Sequence, residues 1–490
     1  MISRAALNPR VLDAEYAVRG PIVQRAQQLE RQGKQIIYCN IGNPQALGQR
    51  PLTYLRQVLS LIEYPELLDA PATRALYPGD IIKRARLILA QQPPGTGAYT
   101  QSPGLPFVRQ AVADFISRRD GIPADPDHIL LTDGASKAAQ AVLQALIAKP
   151  DQGFMIPIPQ YPLYSATLTL LGGQQIGYHL DEGNGWQLNE QILESSFTAA
   201  RRARQNAVGI VVINPGNPTG AVLTQDNIEM IIGFAHRRGL AIIADEVYQE
   251  NVYRPGSRFH SFARVLTDLA EREVTLFSLH SVSKGLLGEC GHRGGYLEIR
   301  NAPVDVLAEF VKLQSISLCA NVPGQLATYL MVAPPQRGEA SYHRYQLERD
   351  AIFEDLRAKA EALGAAVNAI PGMQVEIPAG AMYAFVRIEL PVAGHRTKSR
   401  SGDALAEATA REASYCMALL EKTGICVVPG SGFGQQPGTL HFRTTFLPPR
   451  DQIQALVDRL GRFHQSYLRS QKSALPRLRR SARSDATGCR

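Results

Sequence analysis

The chain has 490 residues, 45% of them hydrophobic and 20% charged, with a mean hydropathy of −0.13. These values exclude a collagen-like or largely disordered chain, and no apolar run approaches the roughly 20 residues that a membrane span needs. Of the net charge of +8, residues 466–490 hold seven Lys or Arg against one Asp, so the rest is close to neutral; the length allows roughly two to four structural units.

In chain order, residues 14–32 read as a helix, 42–44 (Gly-Asn-Pro) as a turn and 93–97 (Pro-Pro-Gly-Thr-Gly) as a loop. A strand at 128–132 runs through Asp133-Gly134-Ala135-Ser136 into a helix at 137–147. Next come a strand at 153–158, a helix at 164–171, a buried strand at 208–214 and a helix at 226–238 that Gly239 ends. Strands at 240–245, 274–279 and 293–297 follow. Short apolar runs alternating with amphipathic helices predict an α/β fold with a mainly parallel sheet. A charged helix at 340–363 bridges to strands at 375–377, 382–388 and 441–445 and a helix at 403–422, a smaller α+β unit. Residues 391–401 are polar and basic and read as a surface loop. The expected division is an N-terminal arm and part of the small domain over 1–100, a large domain over 101–335, a small domain over 336–465, and a disordered basic tail over 466–490.

The first 20 residues carry Asp13 and Glu15 and no long apolar run, unlike a secretory signal or a transit peptide. Six scattered cysteines (Cys39, Cys290, Cys319, Cys416, Cys426, Cys489) form no C-x-x-C pair, so neither a disulfide framework nor a metal site is expected. Both points predict a cytoplasmic protein.

Five clusters carry chemistry. Ser281-Val282-Ser283-Lys284-Gly285 sets a lysine on a tight turn at a strand end, where it can act as a Schiff-base nucleophile. Asn214-Pro215-Gly216-Asn217-Pro218 holds Asn217 at the C-terminal edge of a buried strand, where ligands sit in α/β sheets. Asp245 ends another buried strand, with Tyr248 three residues on; the pair suits a pyridinium nitrogen and a ring oxygen. Ala135 and Ser136 open a helix and suit an anion. Arg443 lies in a strand among apolar and β-branched neighbours, as a carboxylate clamp does. Taken singly, each has an ordinary structural reading: a surface lysine, a plain loop, a helix N-cap, a common βα turn, a structural ion pair. Together they are the equipment for pyridoxal phosphate acting on an amino acid.

At this point the chain resembles the class I/II aminotransferases, the fold-type I pyridoxal-phosphate enzymes, from about residue 7 to 460. It is nearest their alanine aminotransferase branch. The phrases that carry this are Leu7-Asn8-Pro9-Arg10-Val11-Leu12, Glu15-Tyr16-Ala17-Val18-Arg19-Gly20-Pro21-Ile22, Pro159-Gln160-Tyr161-Pro162-Leu163-Tyr164-Ser165-Ala166, and Ser283-Lys284-Gly285 followed by Gly288-Glu289-Cys290-Gly291-His292-Arg293-Gly294-Gly295-Tyr296. The resemblance implies a large domain with a mainly parallel seven-stranded sheet flanked by helices, plus a smaller α+β domain.

It also implies roles. Lys284 would bond to pyridoxal 5′-phosphate and shuttle the proton, and Asp245 would pair with the ring nitrogen. Asn217 and Tyr248 would hold the ring oxygen and Tyr161 would stack on the ring. Ala135, Ser136, Ser281 and Arg293 would bind the phosphate. Tyr99 would reach the phosphate of the neighbouring subunit in a homodimer. Gly42 would lie beside the substrate carboxylate, which Arg443 would clamp. Arg293 follows Lys284 by nine residues, one more than in the aspartate aminotransferase pattern, as the Gly288–Gly295 phrase requires. The implied reaction is L-alanine with 2-oxoglutarate, giving pyruvate and L-glutamate. No second arginine for a substrate side-chain carboxylate is assigned. Alternatives are a glutamate–glyoxylate or other aminotransferase, a pyridoxal-phosphate C–S lyase, and an aminotransferase-like regulator that binds DNA, which only the basic tail favours. Neither a membrane nor a metal is expected.

Overall fold

The computed structural model describes residues 2–391 and 401–484. Its strands in chain order are β1 (Ile37–Tyr38), β2 (Ile129–Thr132), β3 (Gln152–Ile158), β4 (Gln174–His179), β5 (Asn206–Ile213), β6 (Ala241–Asp245), β7 (Leu276–Ser281), β8 (Gly295–Arg300), β9 (Met373–Gln374), β10 (Tyr383–Ile388), β11 (Ile425–Cys426), β12 (Val428–Pro429) and β13 (His441–Thr445). Seven of them form the main sheet in the order β2-β8-β7-β6-β5-β3-β4. Only β8 runs antiparallel, to β2 on one side and β7 on the other. The expected mainly parallel seven-stranded sheet is therefore present. A four-stranded antiparallel sheet, β12-β13-β10-β9, and the parallel pair β1-β11 make the smaller unit.

The central strands are buried on both faces, as parallel strands covered by helices must be. Strand alternation divides their side chains. Val211, Ile243 and Phe277 pack with the helices Ala135–Leu146 and Leu163–Leu171. Val212, Ala244 and Leu276 pack with the helices Gln225–Arg238 and Phe262–Asp268 on the other face. Thr224 caps the helix Gln225–Arg238, its side chain accepting from the Asn227 amide at 3.2 Å, and Gly239 ends it at φ +63°.

The N-terminal hundred residues serve both sheets. The helix Pro21–Arg31 lies on the helix Ser401–Thr423, with Arg25 paired to Glu421, and β1 joins β11. The helices Thr53–Glu63 and Gly79–Gln91 instead pack with Val322–Val332 in the core beside β2. The long helix Tyr342–Asn368 spans both units.

Several expectations need correction. The helix expected over 14–32 begins only at Pro21, whose fixed φ suits the first helical turn. The strand expected at 274–279 sits at 276–281. Residues 375–377 form no strand, because the Asn368 side chain takes both backbone groups of Val375, at 2.8 and 2.9 Å, in place of a ladder. Of the tail expected to be disordered over 466–490, residues 466–484 continue the helix Arg450–Ser484 and 485–490 lie outside the described residues. The basic loop expected at 391–401 falls almost wholly on 392–400, outside the described residues. Among the described residues no helix is long and apolar enough to cross a membrane, and no His, Cys, Asp and Glu group could hold a metal.

Candidate active site

A cleft of about 660 Å³ opens where the main sheet meets the smaller one. Its floor comes from successive strand ends. β5 runs into the turn carrying Asn217, β6 ends at Asp245, and β7 ends at Ser281, three residues before Lys284. Register fixes their spacing, since Ile213 lies opposite Asp245 and Asp245 opposite Leu279. Eleven of the twelve expected site residues line this cleft: Gly42, Ala135, Ser136, Tyr161, Asn217, Asp245, Tyr248, Ser281, Lys284, Arg293 and Arg443. Tyr99 does not; it is 78% exposed on the surface of its own chain.

Asp245 is buried. Its Oδ2 accepts the Tyr164 hydroxyl at 2.7 Å, while Oδ1 is buried with no hydrogen-bond partner among the described residues. Burial pushes the carboxyl up, partly offset by the Tyr164 hydroxyl, the Val247 amide and the charge of Lys284. An unsatisfied buried acceptor costs about 1–3 kcal/mol, so Oδ1 is suited to an N–H donor brought in by a ligand.

Lys284 Nζ donates to the Gly42 carbonyl at 2.8 Å and forms no ion pair among the described residues. Gly42 must be glycine: a Cβ there would overlap the Tyr383 hydroxyl and come within 3.3 Å of Lys284 Nζ. Tyr248 and Tyr383 bring their hydroxyls to 3.4 Å. Burial pushes the Tyr248 phenol well up. Burial also acts to raise Tyr383, but the positive charges of Lys284 and Arg443 outweigh it and its phenol is lowered.

At one end of the cleft, Ala135 and Ser136 open a helix whose first amides have no intrahelical partner. Gly134, at φ +82°, lets the Arg293 guanidinium pass; a Cβ would stand 2.7 Å from Nη2. Arg293 donates to the carbonyls of Asp133 (3.1 Å) and Cys290 (2.9 Å) and to Ser283 Oγ (3.3 Å), with no carboxylate partner among the described residues. Helix amides, an arginine and the Ser281 and Ser283 hydroxyls form an anion site.

At the other end Arg443 is 1% exposed. Its Nη1 donates to Asn217 Oδ1 at 3.0 Å, its Nη2 to the Asn40 carbonyl, and its Nε to nothing among the described residues. The guanidinium lies between the rings of Tyr383 and Phe433, 4.2 and 4.5 Å from their centroids. A buried guanidinium without a carboxylate among the described residues is a site for one.

Other residues at the cleft escaped the reading of the sequence for roles. Tyr164 and Tyr383 look like core aromatics in apolar runs. Tyr16, whose hydroxyl lies 2.5 Å from that of Tyr161, and the exposed Arg19 both reach the cleft from the N-terminal arm. Their one signal was membership of the Glu15–Ile22 phrase.

The model of the aminotransferase class I and II family matches residues 73–460. The chain belongs to the class I and II aminotransferases. Over 94% of its length this aminotransferase is 46% identical to the mitochondrial alanine aminotransferase 1 of Arabidopsis thaliana, covering 86% of that protein. It is 44% identical to glutamate–glyoxylate aminotransferase 1 of the same organism, over 94% of this chain and 95% of the other. Its fold matches that of the alanine aminotransferase of Pyrococcus furiosus with a TM-score of 0.75, at 24% identity, over 94% of this chain and all of that one.

Proposed function

We propose that this aminotransferase moves the amino group of L-alanine to 2-oxoglutarate, releasing pyruvate and L-glutamate, with pyridoxal 5′-phosphate in the cleft. The observation that carries the cofactor is the buried, unpartnered Asp245 Oδ1, facing a cleft that also holds a lysine amine and an anion site. The substrate pair is supported by the alanine aminotransferase relatives.

In this reading Ala135, Ser136, Ser281 and Arg293 hold the phosphate, and Asp245 accepts the ring N–H. Asn217 and Tyr248 hold the ring oxygen and Tyr161 covers a ring face. When bound, the cofactor supplies a carbonyl carbon for the lysine or the amino acid and an electron-withdrawing ring. Arg443 fixes the α-carboxylate with its free N–H groups, which sets the α-carbon beside Lys284. Lys284 Nζ, which lies beside Gly42 in the same cleft, would take the α-proton from the substrate carbon and hold it for return. The Tyr248 phenol, pushed up by burial, stays protonated at neutral pH and donates. Arg19, exposed at the cleft, would meet the second carboxylate of 2-oxoglutarate.

The exposed Tyr99 is assigned to the neighbouring site of a homodimer, and the boundaries near residues 100 and 335 to the large domain. The free cysteines among the described residues suit a reducing compartment such as the cytoplasm.

The test is the half-reaction. Loaded protein mixed with L-alanine alone should lose the visible absorption of its lysine-bound cofactor and release one pyruvate per site; 2-oxoglutarate should restore the band. A second reading, glutamate with glyoxylate, is favoured by the 44% identical relative of that name. It wins if L-glutamate bleaches the band, L-alanine does not, and glyoxylate restores it.

A further inference from the structure

Lys284 and Arg293 are the two ends of one loop, and the acid between them has no part in the chemistry above. Glu289 is 3% exposed. Its Oε1 accepts from Arg56 Nε at 3.0 Å and its Oε2 from Arg56 Nη2 at 2.9 Å, a two-point clamp to the helix Thr53–Glu63. His292 Nδ1 lies 2.9 Å from the same Oε2. Arg56 Nη2 also donates to Gln45 Oε1 at 2.9 Å, three residues after the Gly42 whose carbonyl holds Lys284 Nζ. Gln49 Nε2 closes the circuit on the Leu286 carbonyl at 3.1 Å. Gly288, at φ +63°, lies against Gln49 and Pro44; a Cβ there would come within 2.9 Å of Gln49 Nε2. The Glu289 amide donates back to Val282 at 2.9 Å.

We propose that Glu289 is a positioning residue: through Arg56 and His292 it ties the Lys284–Arg293 loop to the Gly42–Gln49 segment, and so sets how tightly the cofactor phosphate is held. The loop needs such a tie. Arg293 itself sits at φ +53°, a conformation unfavourable for a residue with a side chain. A fork of two charge-assisted hydrogen bonds, with its carboxylate buried and its guanidinium half exposed, fixes direction as well as distance. Burial acts to raise the Glu289 carboxyl, yet His292, Arg56 and Gln45 together hold it below the usual value, so it is ionised at neutral pH.

This inference rests on the cofactor reading, and the experiment separates the two. The full-length protein carrying pyridoxal phosphate is diluted, and the fraction keeping its visible band gives the dissociation constant. Glu289→Gln and Arg56→Met should each raise that constant on the order of tenfold, as losing an outer positioning partner does elsewhere. The double variant should be no worse than the poorer single one, because both remove one clamp. Thermal unfolding of each variant checks that it is folded. Unchanged dissociation constants in variants with lowered melting temperatures would overturn the proposal and leave Glu289 a purely structural acid; so would additive effects in the double variant. A wild-type protein with no visible band overturns the cofactor reading and this inference together.

Discussion

The floor of the cleft hangs from neighbouring strand ends, whereas its roof is gathered from distant segments. Asn217, Asp245, Ser281 and Lys284 stand at or just beyond the ends of β5, β6 and β7, three adjacent parallel strands held in register and buried on both faces. Moving one of them means deforming the sheet. Arg443, by contrast, donates to Asn40 and Asn217, residues far away in sequence, and Tyr16 meets Tyr161 from the N-terminal arm. The floor can thus keep one cofactor chemistry while the roof varies the substrate.

That contrast makes graded expectations. Lys284→Ala removes the one lysine among the described residues that line the cleft, and with it the group that moves the proton; turnover should fall by at least about 10⁴-fold. Near-normal turnover would break the division of labour at its base. Arg443→Met removes a roof residue used by every substrate. It should cut kcat/KM for amino and oxo acids alike by about 10²-fold, in line with two lost charge-assisted hydrogen bonds, while the visible band of the bound cofactor shifts less than in a floor variant, since Arg443 bonds to Asn217 but not to Asp245 or Lys284. A spectrum altered as much as in a floor variant would erase the distinction. Arg19→Gln sharpens it further: KM for 2-oxoglutarate should rise up to about fivefold, the loss of one exposed charged contact, with KM for L-alanine steady. Equal rises for both substrates would remove Arg19 from the second carboxylate.

The smallest expected effect lies beneath the floor. Glu246 accepts the Phe262 amide at 2.8 Å and faces Arg119, Asp120 and Glu298. Burial pushes its carboxyl up to about 8 despite Arg119 and the Phe262 amide. The folded state thus holds this proton more tightly than the unfolded chain. Its contribution to stability is complete below the usual carboxyl value of 4.5 and is lost as pH rises through about 8. Melting temperatures of Glu246→Gln should decline less than those of the wild type across that window. Parallel curves would assign the slope to other groups.

The same contrast explains what could be read from the sequence. The strands behind the floor are continuous apolar runs ending in turn residues, and Asn217, Asp245 and Lys284 stand at those ends. Local pattern alone therefore marked them as candidates and predicted a mainly parallel sheet. β4 (QQIGYH) was not legible because an edge strand is only partly buried. Residues 375–377 looked like a strand, because no local signal tells that the Asn368 side chain takes the pairing positions. Tyr383 and Tyr164 were hidden for a similar reason: a tyrosine in an apolar run packs as core whether or not its hydroxyl faces a ligand. Tyr383 meets Arg443 and Gly42 only through tertiary folding.

The most direct test of the central claim is an experimental structure of the protein soaked with pyridoxal 5′-phosphate. The account predicts the ring nitrogen within hydrogen-bond distance of Asp245 Oδ1, Lys284 Nζ bonded to the cofactor, and the phosphate against Ala135, Ser136 and Arg293. A cofactor bound with its ring nitrogen away from Asp245, leaving Oδ1 without a partner, would contradict it.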